Sequence, residues 1–164
     1  MGREVRRVPA DWIHPIMEGP PYLDGSTRYQ PKFNQSYAQA KAEWDEEKAK
    51  WDRGEFPSYA DDEDKKLPFE EWHGEAPDPA YYMPEFPEGS CTHYQMYETC
   101  SEGSPISPVM DSPESLARWL ADKGASSFGS MTATYDQWLR VCGGGYAPSA
   151  FIDSTGLHAG VEFP

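Results

Sequence analysis

The chain has 164 residues and a formal charge of −14, from 14 basic and 28 acidic side chains. A chain this acidic repels the phosphates of nucleic acids and anionic membrane surfaces, which argues against direct binding to either and suits a basic protein surface instead. Aliphatic residues are scarce and there are 16 prolines, but six Trp, ten Tyr and seven Phe, so a small core and any interface must both rest on rings.

No stretch approaches the run of about 18 apolar residues needed to cross a bilayer. The first residues, MGREVRRVP, are charged and lack the apolar stretch of a secretion signal. Cys91, Cys100 and Cys142 are odd in number and form no obvious framework, which reads as reduced thiols in a cytosol.

Charge is spread unevenly. Residues 1–42 hold six basic and four acidic groups, residues 43–88 five and sixteen, and residues 89–164 three and eight. The net values are +2, −11 and −5, so most of the excess lies in the middle segment.

In chain order, residues 1–33 read as an extended arm, because Pro9, Pro15, Pro20, Pro21 and Pro31 forbid a long helix. Trp12, Tyr22, Tyr29 and Phe33 could pin that arm to a core. Next, a helix is expected from about Gln35 to Arg53, capped by Asn34 or Ser36 and ended by Gly54. Tyr37, Trp44 and Trp51 recur every seven residues on one stripe of it, with Lys41 and Lys48 between them. Residues 56–87 are Pro-rich and mostly irregular, with one short helix near Pro68–His73. Residues 34–88 thus form a helix followed by an acidic segment.

The last part is more regular. Residues 92–99 read as a strand, 101–104 as a turn and 105–110 as a second extended segment. Ser112 caps a helix with Pro113 at its first position, and Gly124 stops it. Thr134 and Gln137 have capping-box spacing for a second helix, to about Cys142, stopped by Gly143. Trp119 and Trp138 are expected in the core. Residues 149–153 and 157–163 read as a hairpin around Ser154-Thr155-Gly156. The expected fold class is α+β: a small mixed domain over 89–164, with short antiparallel strands and two or three helices, behind a long aromatic- and Pro-rich, partly irregular N-terminal half.

Candidate chemistry is thin. Cys91, His93 and Cys100 lie close in sequence, but their spacing matches no common zinc pattern. Cys142 falls at a helix C-terminus, where the dipole raises a thiol pKa and opposes activation. Gly143-Gly144-Gly145 follows a helix instead of opening one, so it is no phosphate loop. No catalytic residue and no cofactor are assigned. The remaining candidate is an acidic docking surface made of Asp61, Asp62, Glu63, Asp64, Glu70, Glu71, Glu75 and Asp78, with Trp72, Tyr81 and Tyr82 as anchors. A solvated loop is the plain alternative for the acidic run.

GREVRRVPADW, EWHGEAPDPAYYMP, THYQMYETCSEGSPISPVMDSPESLARWLADKG and TYDQWLRVCGGGYAPSA together resemble a family of small acidic proteins encoded by tailed phages and prophages. The resemblance spans nearly the whole chain and brings no catalytic residues. It implies a protein working in the host bacterial cytoplasm. By analogy of size and charge it implies an anti-CRISPR or anti-restriction type of inhibitor that blocks a host defence or nucleic-acid-handling complex by acidic mimicry or steric block. Its partner would be a host protein with a basic surface. A phage structural or assembly factor, and a small cysteine- or metal-dependent enzyme, are the alternatives.

Overall fold

The computed structural model describes residues 2–22, 25–154 and 156–162. In chain order the elements are β1 (Gly2–Val8), β2 (Phe33–Ser36), α1 (Tyr37–Asp52), a 3₁₀ turn (Asp64–Lys66), α2 (Phe69–Trp72), a second 3₁₀ turn (Pro79–Tyr81), β3 (Tyr82–Met83), β4 (His93–Glu98) and β5 (Ser104–Pro105). Then follow α3 (Pro113–Asp122), β6 (Ser126–Phe128), β7 (Met131–Thr132), α4 (Tyr135–Gly144), β8 (Tyr146–Pro148), β9 (Ala150–Asp153), β10 (Gly156–Ala159) and a last 3₁₀ turn (Gly160–Glu162). The fold is α+β. The chain divides into a sheet unit, Met1–Lys32 with Glu85–Pro164, and an insert, Phe33–Pro84.

This division corrects the expected boundaries. The first 33 residues are not an arm: β1 is an inner strand of a four-stranded antiparallel sheet ordered β5-β4-β1-β8. Its register pairs Val5 with Met96, Arg6 with Gln95 and Glu4 with Tyr97. The sequence GREVRRV hides this strand because it lacks apolar–polar alternation. Arginines occupy both faces, and Arg3 and Arg6 are 4% and 5% exposed.

The sheet face carrying Val5 and Met96 packs with α3 and α4. Met96, Leu116, Leu120 and Trp138 are fully buried there, with Val141, Cys142 and Val161 close to it. Both helices begin with reciprocal capping boxes, Ser112 with Ser115 and Thr134 with Gln137, which satisfy amide groups that would otherwise lack partners. The α4 helix runs past the expected stop at Gly143. Gly145 ends it, because that residue takes the left-handed φ of 83° and donates its N–H to the Val141 carbonyl at 2.8 Å. Trp119 is only half-buried, at the margin of the core. The extended segment expected over 105–110 shrinks to Ser104–Pro105 plus a bridge between Tyr94 and Met110, since Pro105 and Pro108 lack the N–H a ladder needs. The tail pairs β9 with β10; Thr155 and Phe163 of the expected hairpin lie outside the described residues.

The insert is built on indoles. Ser36 caps α1 by accepting the Gln39 N–H at 3.1 Å, and Gly54 follows its end at φ 77°. Trp44 and Trp51, one heptad apart, are buried with Ala40, as the stripe required. They pack on Phe69 of α2, Ala60, Phe56 and Trp72. Trp51 Nε1 donates to the Leu67 carbonyl at 3.1 Å, and Trp44 Nε1 to that of Gly74 at 3.3 Å, so the ring edges are satisfied while the faces bury. Strand β2 runs parallel to β3, with Phe33 opposite Tyr82 and Ser36 opposite Met83.

Candidate functional site

The second face of the main sheet is polar and covered. Residues after β1 turn back on themselves through a bridge between Ile16 and Tyr29. Trp12 Nε1 donates to the Tyr97 hydroxyl at 3.1 Å, and that hydroxyl donates to Gln95 Oε1 at 2.8 Å. Gln95 Nε2 in turn donates to the Ser107 carbonyl at 2.9 Å, which fixes the amide. His14 Nε2 lies 2.7 Å from the Gln30 carbonyl, so that nitrogen carries the proton and Nδ1 faces the Tyr97 oxygen at 3.3 Å. Arg6 lies over the Tyr97 ring at 4.3 Å, donates to Glu4 at 2.9 Å and to the Lys32 carbonyl at 2.6 Å. Gly103 holds φ 94°, and a Cβ there would sit 2.0 Å from the Lys32 carbonyl oxygen. The close passage of chain beside Arg6 therefore needs glycine.

A cleft of about 980 Å³ opens beside this network, lined among others by Trp12, His14, Tyr29, Gln95, Ile106 and Trp119. Burial chiefly lowers the His14 pKa, with the charges of Lys32 and Arg6 pushing the same way against the Gln30 carbonyl. Burial likewise pushes the Tyr97 hydroxyl up to about 12, against the Trp12 bond and the Arg6 charge. A neutral imidazole beside a protonated phenol, each already hydrogen-bonded, is a clamp that holds residues 12–30 to the sheet. It presents no activated nucleophile.

Burial pushes Cys142 up to about 12, with the Glu114 carboxylate adding to it; burial, not the helix end, is the main cause. Cys100 Sγ lies 3.6 Å from Ser149 Oγ, and the His93 ring meets Thr92. Among the described residues no three His, Cys, Asp or Glu side chains gather as a metal-holding group. No helix of the described residues is long and apolar enough to cross a membrane.

The insert carries all eleven residues expected to bind a partner. It holds six basic and fourteen acidic residues, a net of −8. Each of the six cations sits against a carboxylate of the insert. Lys41 meets Asp45, Lys48 meets Asp52 and Glu70, Lys50 meets Glu46, Arg53 meets Glu55, Lys65 meets Asp62 and Lys66 meets Glu63. Seven carboxylates lie outside these pairs: Glu43, Glu47, Asp61, Asp64, Glu71, Glu75 and Asp78.

The expected acidic surface thus separates into parts. Asp62, Glu63 and Glu70 are matched by lysines. Asp61 accepts the N–H groups of Glu63 and Asp64 at 2.8 and 2.9 Å, and Asp64 accepts that of Asp61 at 3.0 Å. These two carboxylates build the turn before the Asp64–Lys66 3₁₀ segment, and those backbone bonds lower the Asp61 pKa first. Asp78 caps the second turn through the Ala80 N–H. Glu71 and Glu75 are exposed.

The rings divide too. Tyr81 is exposed, whereas Tyr82 contacts Phe33 and Tyr37. Trp72 stacks on Trp51 at 4.3 Å. A pocket of about 220 Å³ forms there with Phe56 and Tyr59 among its walls. Phe56 and Tyr59 were not visible as site residues in the sequence, since nothing in the spacing links them to Trp72. Comparison with protein-family models, with curated proteins and with solved structures returns no match.

Proposed function

We propose that the chain is a non-catalytic binding protein that docks through its insert on a basic protein surface. In the phage setting implied by the resemblance, that surface belongs to a host defence or nucleic-acid-handling complex, which the insert blocks by acidic mimicry. The observation that carries this reading is the charge left over within the insert. Every cation there is matched locally, and seven further carboxylates stand outside those pairs. Their summed field attracts a basic partner and speeds encounter. The carboxylates to test are Glu71 and Glu75, because reversing Asp61 or Asp64 would also remove backbone hydrogen bonds.

The test is capture of partners from a bacterial host lysate with the full chain, then affinity measured against salt for the captured protein. Binding should weaken steeply with salt. The double variant Glu71→Lys, Glu75→Lys should bind about tenfold more weakly, the order expected when two exposed charge contacts turn repulsive. Affinity indifferent to both salt and the double variant overturns the reading.

A further inference from the structure

The rings of the insert line an open pocket. Trp51 and Trp72 lie 23° from parallel with centroids 4.3 Å apart, and Phe56 meets Trp51 edge-on at 4.7 Å and 82°. Tyr59 is also 23° from parallel with Trp72, at 6.1 Å, yet it remains 78% exposed. A tyrosine so exposed gains little from burial. The pocket these rings line has a volume of about 220 Å³, and Glu47 and Glu55 share its wall. Lys50 lies on the same wall, its ammonium held by Glu46 at 2.6 Å.

We propose that this pocket receives an arginine side chain of the basic partner, an inference that rests on the preceding reading and deepens it. Three features select that group. Aromatic faces carry negative potential and attract cations. Trp51 and Trp72 stack on each other and admit nothing between them, but the exposed Tyr59 ring offers a flat face at the pocket, on which a planar guanidinium stacks where a compact ammonium does not. Carboxylates at the wall match its N–H fork. Glu55 already accepts from Arg53 through both oxygens, from Nε at 2.7 Å and from Nη2 at 3.2 Å, and Glu47 lies 2.9 Å from His73 Nε2. A carboxylate offers about four acceptor positions, so neither contact exhausts it. The volume suits a side-chain head group and is below the range of about 300–1,000 Å³ common for whole small-molecule ligands.

The probe is N-acetyl-arginine amide, titrated at low salt into the full ¹⁵N-labelled chain while the indole N–H signals are followed. Saturable shifts are expected at Trp51 and Trp72. N-acetyl-lysine amide and tetramethylammonium should bind more weakly, and the neutral citrulline amide should leave the signals in place. Tyr59→Ala, at an exposed position, should keep the backbone spectrum and weaken arginine binding about two- to fivefold. Absence of saturation with the arginine probe overturns the proposal. So does equal binding of citrulline amide, tighter binding of tetramethylammonium, or an unchanged affinity in Tyr59→Ala. No partner protein enters this titration, so its failure is separable from failure of the salt and charge-reversal test.

Discussion

In the sheet unit, Arg3 and Arg6 are almost wholly buried. Arg6 spends its donors on Glu4 and the Lys32 carbonyl and its face on Tyr97. In the insert, all six cations are partly or fully exposed and meet carboxylates at the surface, while indoles fill the interior. The same residue types therefore hold one unit together and decorate the other. Buried charge must be matched group by group, because an unmatched ion in a low dielectric is costly. Surface charge is screened and can be left in excess, where a partner can use it.

The largest effect should come from the core of the sheet unit. Trp138 is 0% exposed, and Trp138→Ala should lower stability by about 3–5 kcal/mol, read by chemical denaturation; an unchanged midpoint would show that α4 is dispensable. The contrast in charge is tested next. Arg6→Met removes the guanidinium bonds to Glu4 and the Lys32 carbonyl and should cost about 2 kcal/mol, less than a fully buried pair because Glu4 is partly exposed. Lys50→Met, which breaks an exposed pair in the insert, should leave the midpoint in place. Equal losses in the two variants would erase the distinction between the units.

A smaller effect concerns pH. The His14 pKa is lowered in the folded chain, so the unfolded chain takes up a proton first as pH falls. Stability from this group is full above about pH 6.5 and declines as pH drops toward the folded value, by at most about 1.4 kcal/mol per pH unit. Denaturation at pH 7.5 and 5.5 should show the decline in the native chain and a shallower one in His14→Gln. The smallest effect is expected from Glu71→Lys with Glu75→Lys, whose thermal midpoint should match that of the native chain even where partner binding falls.

Elements with local causes could be read from the residues. The caps at Ser36, Ser112 and Thr134, the heptad of Tyr37, Trp44 and Trp51, and the strand over 93–98 all follow from short-range spacing. Strand β1 could not, because its place depends on Glu98, Tyr97 and the Lys32 carbonyl, which are distant in sequence. The end of α4 lies two residues beyond the expected Cys142, because three successive glycines are locally equivalent and only tertiary context selects Gly145. At the candidate site the acidic composition of the insert was legible. The division between lysine-matched, turn-building and outward carboxylates was not, since it depends on side-chain geometry. Nor was the ring pocket, which α1, the chain after it and α2 assemble together.

The parallel pairing of β2 with β3 has a topological consequence. Phe33 stands opposite Tyr82, so the first and last strands of the 33–84 segment lie one strand spacing apart, about 4.8 Å. A cassette whose ends meet can be gained or lost as a block, with a link of a few residues closing the gap. Topology alone therefore permits the 33–84 segment to be excised as a block and replaced by a short link.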